Sequence, residues 1–110
     1  MAYGIDLRIT DYPEYARPGD LVVIKWYIRV NLVENVDKPI VRFIDMNTYA
    51  LLDWQQLAVL PSGTYDTPEY ESQFMMLDRD MDILAEVLIE DRRLQWTRKY
   101  DQQTFKIGLL

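Results

Sequence analysis

The sequence predicts an all-β protein, an antiparallel β-sandwich of about seven strands. Two long runs carry most of that expectation. Val22, Ile24, Trp26, Ile28 and Val30 alternate with Lys25, Tyr27, Arg29 and Asn31, and Met81, Ile83, Ala85, Val87 and Ile89 alternate with Asp82, Glu86 and Glu90. Successive side chains of a strand point to opposite faces, so each run offers one face to a core. Turn chemistry separates such runs, at Arg17-Pro18-Gly19-Asp20 and Leu60-Pro61-Ser62-Gly63.

The elements follow in order. Ile5, Leu7 and Ile9 alternate with Asp6, Arg8 and Thr10 as a first strand, which Tyr12-Pro13-Glu14-Tyr15 ends. Residues 21–31 form the second, and a polar loop covers 34–38. Residues 39–46 form the third, with Val41 and Phe43 in one phase and Ile40, Arg42, Ile44 and Met46 in the other. Asp45-Met46-Asn47-Thr48 reads as a turn. Residues 49–54 are apolar without a clear period and fit a short strand or a crossing segment. A short strand is expected at 57–60 and a longer one at 69–76, where Tyr70, Ser72, Phe74 and Met76 share a phase. Asp78-Arg79-Asp80 turns the chain into 81–90, and Asp91-Arg92-Arg93 is a hairpin turn. The last strand begins near Trp96 or Thr104 and carries Phe105, Ile107 and Leu109. Residues 81–93 also fit a helix, since Met81, Leu84, Ala85 and Leu88 follow a 3.6 period and Asp78 or Asp80 could cap it. The strand reading is preferred because alternation holds at five inward positions. The expected core contains Trp26, Ile28, Phe43, Phe74, Val87 and Phe105.

Composition narrows the function. One domain, residues 1–110, fits the length. The chain has no cysteine, so no disulfide, thiolate nucleophile or thiolate metal site can form. It has no histidine, which removes the commonest general base and the commonest transition-metal ligand. The 18 acidic residues exceed the 12 basic ones for a net charge of −6, which disfavours nucleic acid and anionic membrane as partners. No basic, apolar leader and no membrane-length apolar run is visible. No secretion signal is therefore expected; a viral chain would belong to the virion.

Three clusters of chemistry-bearing residues stand out. Asp78, Asp80 and Asp82 form a D-x-D-x-D run, but an EF-hand loop would need Gly and Glu where Ile83 and Ile89 stand. Solvated turn residues are the expectation, and no cofactor or metal is expected. Glu69 with Glu71, or Glu86 with Glu90, could pair for glycoside hydrolysis, although carboxylates at i and i+2 more often line a solvated strand face. The chain is read as not an enzyme. Among the 14 aromatics, Tyr49, Trp54, Trp96 and Tyr100 could form a sugar-stacking platform, whereas the others suit a core or half-buried strands.

The succession of Arg17-Pro18-Gly19-Asp20, the alternating strand to Asn31, Val41-Arg42-Phe43-Ile44-Asp45, Leu60-Pro61-Ser62-Gly63, Asp78-Arg79-Asp80 and Thr104-Phe105-Lys106-Ile107 resembles the immunoglobulin-like domains of the CARDB kind, found in bacterial and archaeal surface and adhesion proteins. The stretch after Asn31, Leu32-Val33-Glu34-Asn35-Val36, departs from the Asn-x-Gly turn usual there. The resemblance implies an immunoglobulin-like sandwich, a module of larger assemblies, and no shared catalytic residues.

The same resemblance makes the strands at 39–46 and 81–90 sheet neighbours. Their outward positions should then be polar, yet Ile40, Ile44, Met46, Leu84 and Leu88 stand there. Such a patch marks an interface, unless residues 49–54 fold back over it. The expected partners are protein chains of a homo- or hetero-oligomeric assembly. The expected function is non-enzymatic surface contact, most concretely in a virion structural or decoration protein, with a cell-surface adhesion or carbohydrate-binding module as the alternative.

Overall fold

The computed structural model describes residues 4–91, 93 and 95–110, without the side chains of Asp91 and Trp96. The first three residues, part of the expected 91–93 turn and the Trp96 indole lie outside that description. The described chain is all-β: β1 (Ile5–Asp11), β2 (Tyr15–Ala16), β3 (Leu21–Leu32), β4 (Ile40–Asp45), β5 (Leu51–Gln56), β6 (Gly63–Asp66), β7 (Tyr70–Met75), β8 (Met81–Asp91) and β9 (Trp96–Leu109).

Two sheets face each other. In one, β3 is central, with β1 along one side and β6 followed by β7 along the other. In effect β6 and β7 are one edge interrupted at Thr67-Pro68. Proline has no N–H to continue the ladder. Thr67 bridges the gap: its N–H donates to the Ile28 carbonyl at 2.9 Å, and its hydroxyl accepts the Ile28 N–H at 2.9 Å. The second sheet runs β2-β9-β8-β4-β5. Its pairs are antiparallel except for the short parallel pair of β2 with β9. There the Tyr15 ring lies so close to Gly108 that a Cβ would come within 2.6 Å of it.

The inward phase is the one read from the sequence. Val22, Ile24, Trp26, Ile28 and Val30 of β3 meet Val41, Phe43, Ile83, Ala85 and Val87 across the sandwich, and all ten are fully buried. Phe74 joins them. Phe105 is an exception, half-buried at the rim, where it packs against Tyr12 with ring centroids 4.6 Å apart.

Four expectations are corrected or resolved. Residues 57–60 do not form a strand. Leu57 and Leu60 are buried and Ala58 and Val59 exposed, a spacing of three rather than two, and Leu60 makes only an isolated bridge to Val36. A strand missed from the sequence, β6, forms just after the Pro61-Ser62 turn. Residues 81–91 are strand and not helix, hydrogen-bonded to β4 on one side and β9 on the other. The last strand starts at Trp96.

Candidate functional site

β4 and β8 are neighbours, with Ile40 opposite Leu88, Arg42 opposite Glu86 and Ile44 opposite Leu84. The segment containing residues 49–54 does not fold over this outer face. It turns through Tyr49, held at φ 60°, into β5, which extends the sheet by pairing with β4. The face therefore stays open and gains Leu51 and Trp54, 54% and 53% exposed. Ile40, Ile44 and Leu84 are half-buried beside them. One of the five outward residues named from sequence differs in burial. Leu88, opposite Ile40 and Lys99, is fully buried yet lies outside the core cluster. Met46 follows the last residue of β4 and stays on the outer side, 39% exposed: its N–H donates to the Asp82 carbonyl at 2.9 Å, and it lines a recess with Asp82, Thr104 and Lys106.

A charge network crosses the middle of this face. Glu86 points outward by phase, yet its side chain is 2% exposed. Arg42 Nε donates to Glu86 Oε1 at 2.9 Å, and Lys99 on β9 pairs with its other oxygen. Arg42 also reaches Glu90 at 3.5 Å. Burial alone would push the Glu86 carboxyl up. Hydrogen bonds from Lys99 and Arg42, with their charges, outweigh it and hold the group below the usual carboxylate range. Glu86 is thus the fixed centre that orients Arg42. Ile40, Arg42, Leu51, Trp54 and Glu90 line a recess of about 230 Å³ at the β5 rim.

The two open sides of the sandwich are closed by one device used twice. On β5 a bulge leaves Leu52 without a partner, and Asp53, Trp54 and Gln55 follow it. On β9 a bulge leaves Tyr100 without a ladder partner, and Asp101, Gln102 and Gln103 follow. A bulge turns two successive side chains toward the same side, so Leu52 and Tyr100 pack on the core while the next residue, an aspartate, reaches the opposite sheet. Asp53 accepts the Gln73 N–H at 2.8 Å and the Trp54 N–H at 2.9 Å. Asp101 accepts the Leu7 N–H at 2.7 Å and the Gln102 N–H at 2.8 Å. The glutamine two residues on donates to a carbonyl of the opposite sheet: Gln55 to Glu71, Gln103 to Leu7. Backbone groups of edge strands β7 and β1 that would invite another strand are capped by side chains.

The remaining sequence candidates separate. Tyr49 is 81% exposed at a turn. Tyr100 faces inward on β9 beneath Arg98, 5.3 Å from its ring centroid. Strands β8 and β4 lie between it and Trp54, so no joint aromatic platform forms from these residues. Of the first carboxylate pair, Glu69 accepts the Thr10 hydroxyl at 3.0 Å and Glu71 is exposed; of the second, Glu86 and Glu90 are both engaged by Arg42. Asp80 accepts the Leu109 N–H at 2.8 Å, and among the described residues no group of three or more acidic side chains converges on one point. Asp45, buried at the end of β4, is bound by Asn47, Thr48 and Arg79. Burial raises its carboxyl, but these hydrogen bonds, with the charge of Arg79, bring it below its ordinary value. Among the described residues no helix is long and apolar enough to cross a membrane.

No protein-family model matches the chain, and no curated protein does. Solved structures do match. The CARDB domain of a Pyrococcus furiosus protein, solved in complex with di-metal ions, superposes with a TM-score of 0.69 at 12% identity, over 96% of this chain and 87% of that one. A conjugative transposon lipoprotein from Bacteroides eggerthii superposes with a TM-score of 0.54 at 13% identity, over 96% and 98%. Identities this low establish shared architecture and nothing finer. The fold is that of a CARDB-like, immunoglobulin-like β-sandwich domain.

Proposed function

We propose that the chain is a non-enzymatic contact module that binds other protein chains in a larger assembly, most concretely as a virion structural or decoration protein. The observation that carries the reading is the open outer face of β5, β4 and β8. Leu51 and Trp54 stand half-exposed beside Ile40, Ile44 and Leu84, on positions that a solvated sheet fills with polar residues. The Arg42–Glu86–Lys99 network stiffens the face, and rigid apolar surface beside a held arginine suits a protein contact. The net charge of −6 speaks against nucleic acid and anionic membrane.

The test measures particle size by light scattering and co-sedimentation with purified particles. Leu51→Asp and Ile44→Asp should keep the β-type circular dichroism and lose assembly. Leu51 is exposed enough that its variant must fold, so retained assembly by a folded Leu51→Asp protein moves the contact off this face. A second reading, a cell-surface adhesion or carbohydrate-binding module, draws support from Trp54 alone.

A further inference from the structure

We propose that the recess at the β5 rim binds one uncharged hexopyranose ring, stacked on Trp54 and hydrogen-bonded by Arg42 and Glu90. This deepens the second reading above and does not depend on the first.

The two closing devices supply an internal control for Trp54. In both, the residue between the aspartate and the glutamine points to the outer face and contributes only its backbone N–H to the clamp. At one side that residue is Gln102, exposed and polar, whose side-chain carbonyl accepts from Lys99 Nζ at 2.9 Å. At the other it is Trp54, 53% exposed. The clamp itself therefore forms without an aromatic there, and the half-exposed tryptophan is not required by it. Its backbone is also the best-held point of the edge: Asp53 on one side and Gln55 on the other are hydrogen-bonded across to β7. A pre-positioned indole costs little to order on binding.

The recess also selects by charge. Arg42 is oriented by the buried Glu86 and faces Glu90 at 3.5 Å. A cation would be drawn to Glu90 and repelled by Arg42; an anion would meet the reverse. A neutral ligand with adjacent donors and acceptors suffers neither. A pyranose has such hydroxyls on its edge and an apolar C–H face for the indole, and Ile40 and Leu51 wall the recess on either side of that contact.

The experiment is a ¹H–¹⁵N titration of the full chain with methyl glycosides of glucose, galactose, mannose and N-acetylglucosamine, alongside methyl glucuronide. At least one neutral glycoside should shift the Trp54 indole N–H and the Arg42 Nε–H saturably, with a dissociation constant on the order of 1–10 mM, as for a single-ring ligand. Trp54→Ala should weaken this by about tenfold or more, the scale of one lost stacking contact. Gln102→Ala, the same position in the other clamp, should leave it unchanged, and glucuronide should bind more weakly. Unshifted Leu7 and Gln73 amides show that each variant keeps its clamps. The proposal is overturned if no glycoside moves Trp54, if Trp54→Ala binds equally well, or if glucuronide binds tightest. Loss of assembly in Trp54→Ala without any glycoside response also overturns it, and leaves the protein-contact reading standing.

Discussion

The two sides of the sandwich are closed by the same four-residue device, but they differ in what surrounds it. On the β9 side, Asp101 and Gln103 both grip Leu7, through its N–H and its carbonyl, and the contact is partly buried. On the β5 side, Asp53 takes the Gln73 N–H while Gln55 takes the Glu71 carbonyl, two residues away, and these contacts are exposed. The second side has an extra partner beneath it: Gln55 also reaches the Ser72 hydroxyl at 3.1 Å, which accepts the indole N–H of buried Trp26 at 3.0 Å. One clamp is tight and stands alone; the other is spread out and tied to the core. Conserved geometry with differing burial separates what the device requires from what each side adds.

The largest test of that contrast lies under the β5 side. Trp26→Ala should cost about 3–5 kcal/mol, the range for removing a large aromatic from a packed core, and should loosen the β7 amides as it frees Ser72. A chemical denaturation loss below about 1 kcal/mol would place Trp26 outside the core. Next come the clamps themselves. Asp101→Ala should cost about 1–3 kcal/mol, because the partly buried Leu7 N–H loses its acceptor, and Asp53→Ala should cost less, about 0.5–1.5 kcal/mol. Hydrogen exchange should show Leu7 accelerating in the first variant and Gln73 in the second, without crossover. Equal costs would erase the distinction between the sides.

Acid probes the middle and end of the five-stranded sheet rather than its sides. Glu86 and Asp45 both titrate below their ordinary values in the folded protein. Their contribution is therefore fully present above the unfolded-state range near pH 4 and is lost as pH falls through the lower folded values. Urea midpoints should fall as pH drops below about 4, and Glu86→Gln should flatten part of that fall; an unchanged profile would mean that Arg42 and Lys99 do not hold the carboxylate. The smallest effect belongs to the positions between aspartate and glutamine. Trp54→Gln and Gln102→Ala should each shift stability by no more than about 0.5 kcal/mol. A larger loss for Trp54→Gln would give the indole a structural role after all.

Much of this was legible in the sequence. Period-2 alternation located β1, β3, β4, β7 and β8 and the phase of their buried faces, because each has one side on the core. It failed where the chain leaves that rule. The pair Asp53 and Gln55 and the pair Asp101 and Gln103 are polar, and alternation sends polar residues to solvent; the bulges at Leu52 and Tyr100 are what turn them inward. The recurrence of a bulky residue followed by Asp-x-Gln was the available signal. Residues 57–60 misled by being apolar although only Leu57 and Leu60 are anchored, and Pro68 hid β6 by dividing one edge in two. On the candidate site, the open face was readable from Ile40, Ile44 and Leu84. The burial of Leu88 was not, because alternation gives a residue's phase and not how deeply its neighbours bury it.

The clamps also make positions 54 and 102 display points. Each sits in a strand whose flanking residues are pinned to the opposite sheet, and each gives the clamp only its backbone N–H, with tryptophan in one case and glutamine in the other. Immunoglobulin-like domains are usually engineered through their end loops, where a grafted residue brings loop entropy with it. Groups on regular strands are held more accurately than groups on loops. A reporter, a metal-binding amino acid or a cross-linker placed at these two sites would stand at opposite margins of one sheet face at a spacing the backbone sets, which makes the domain a ruler as much as a module.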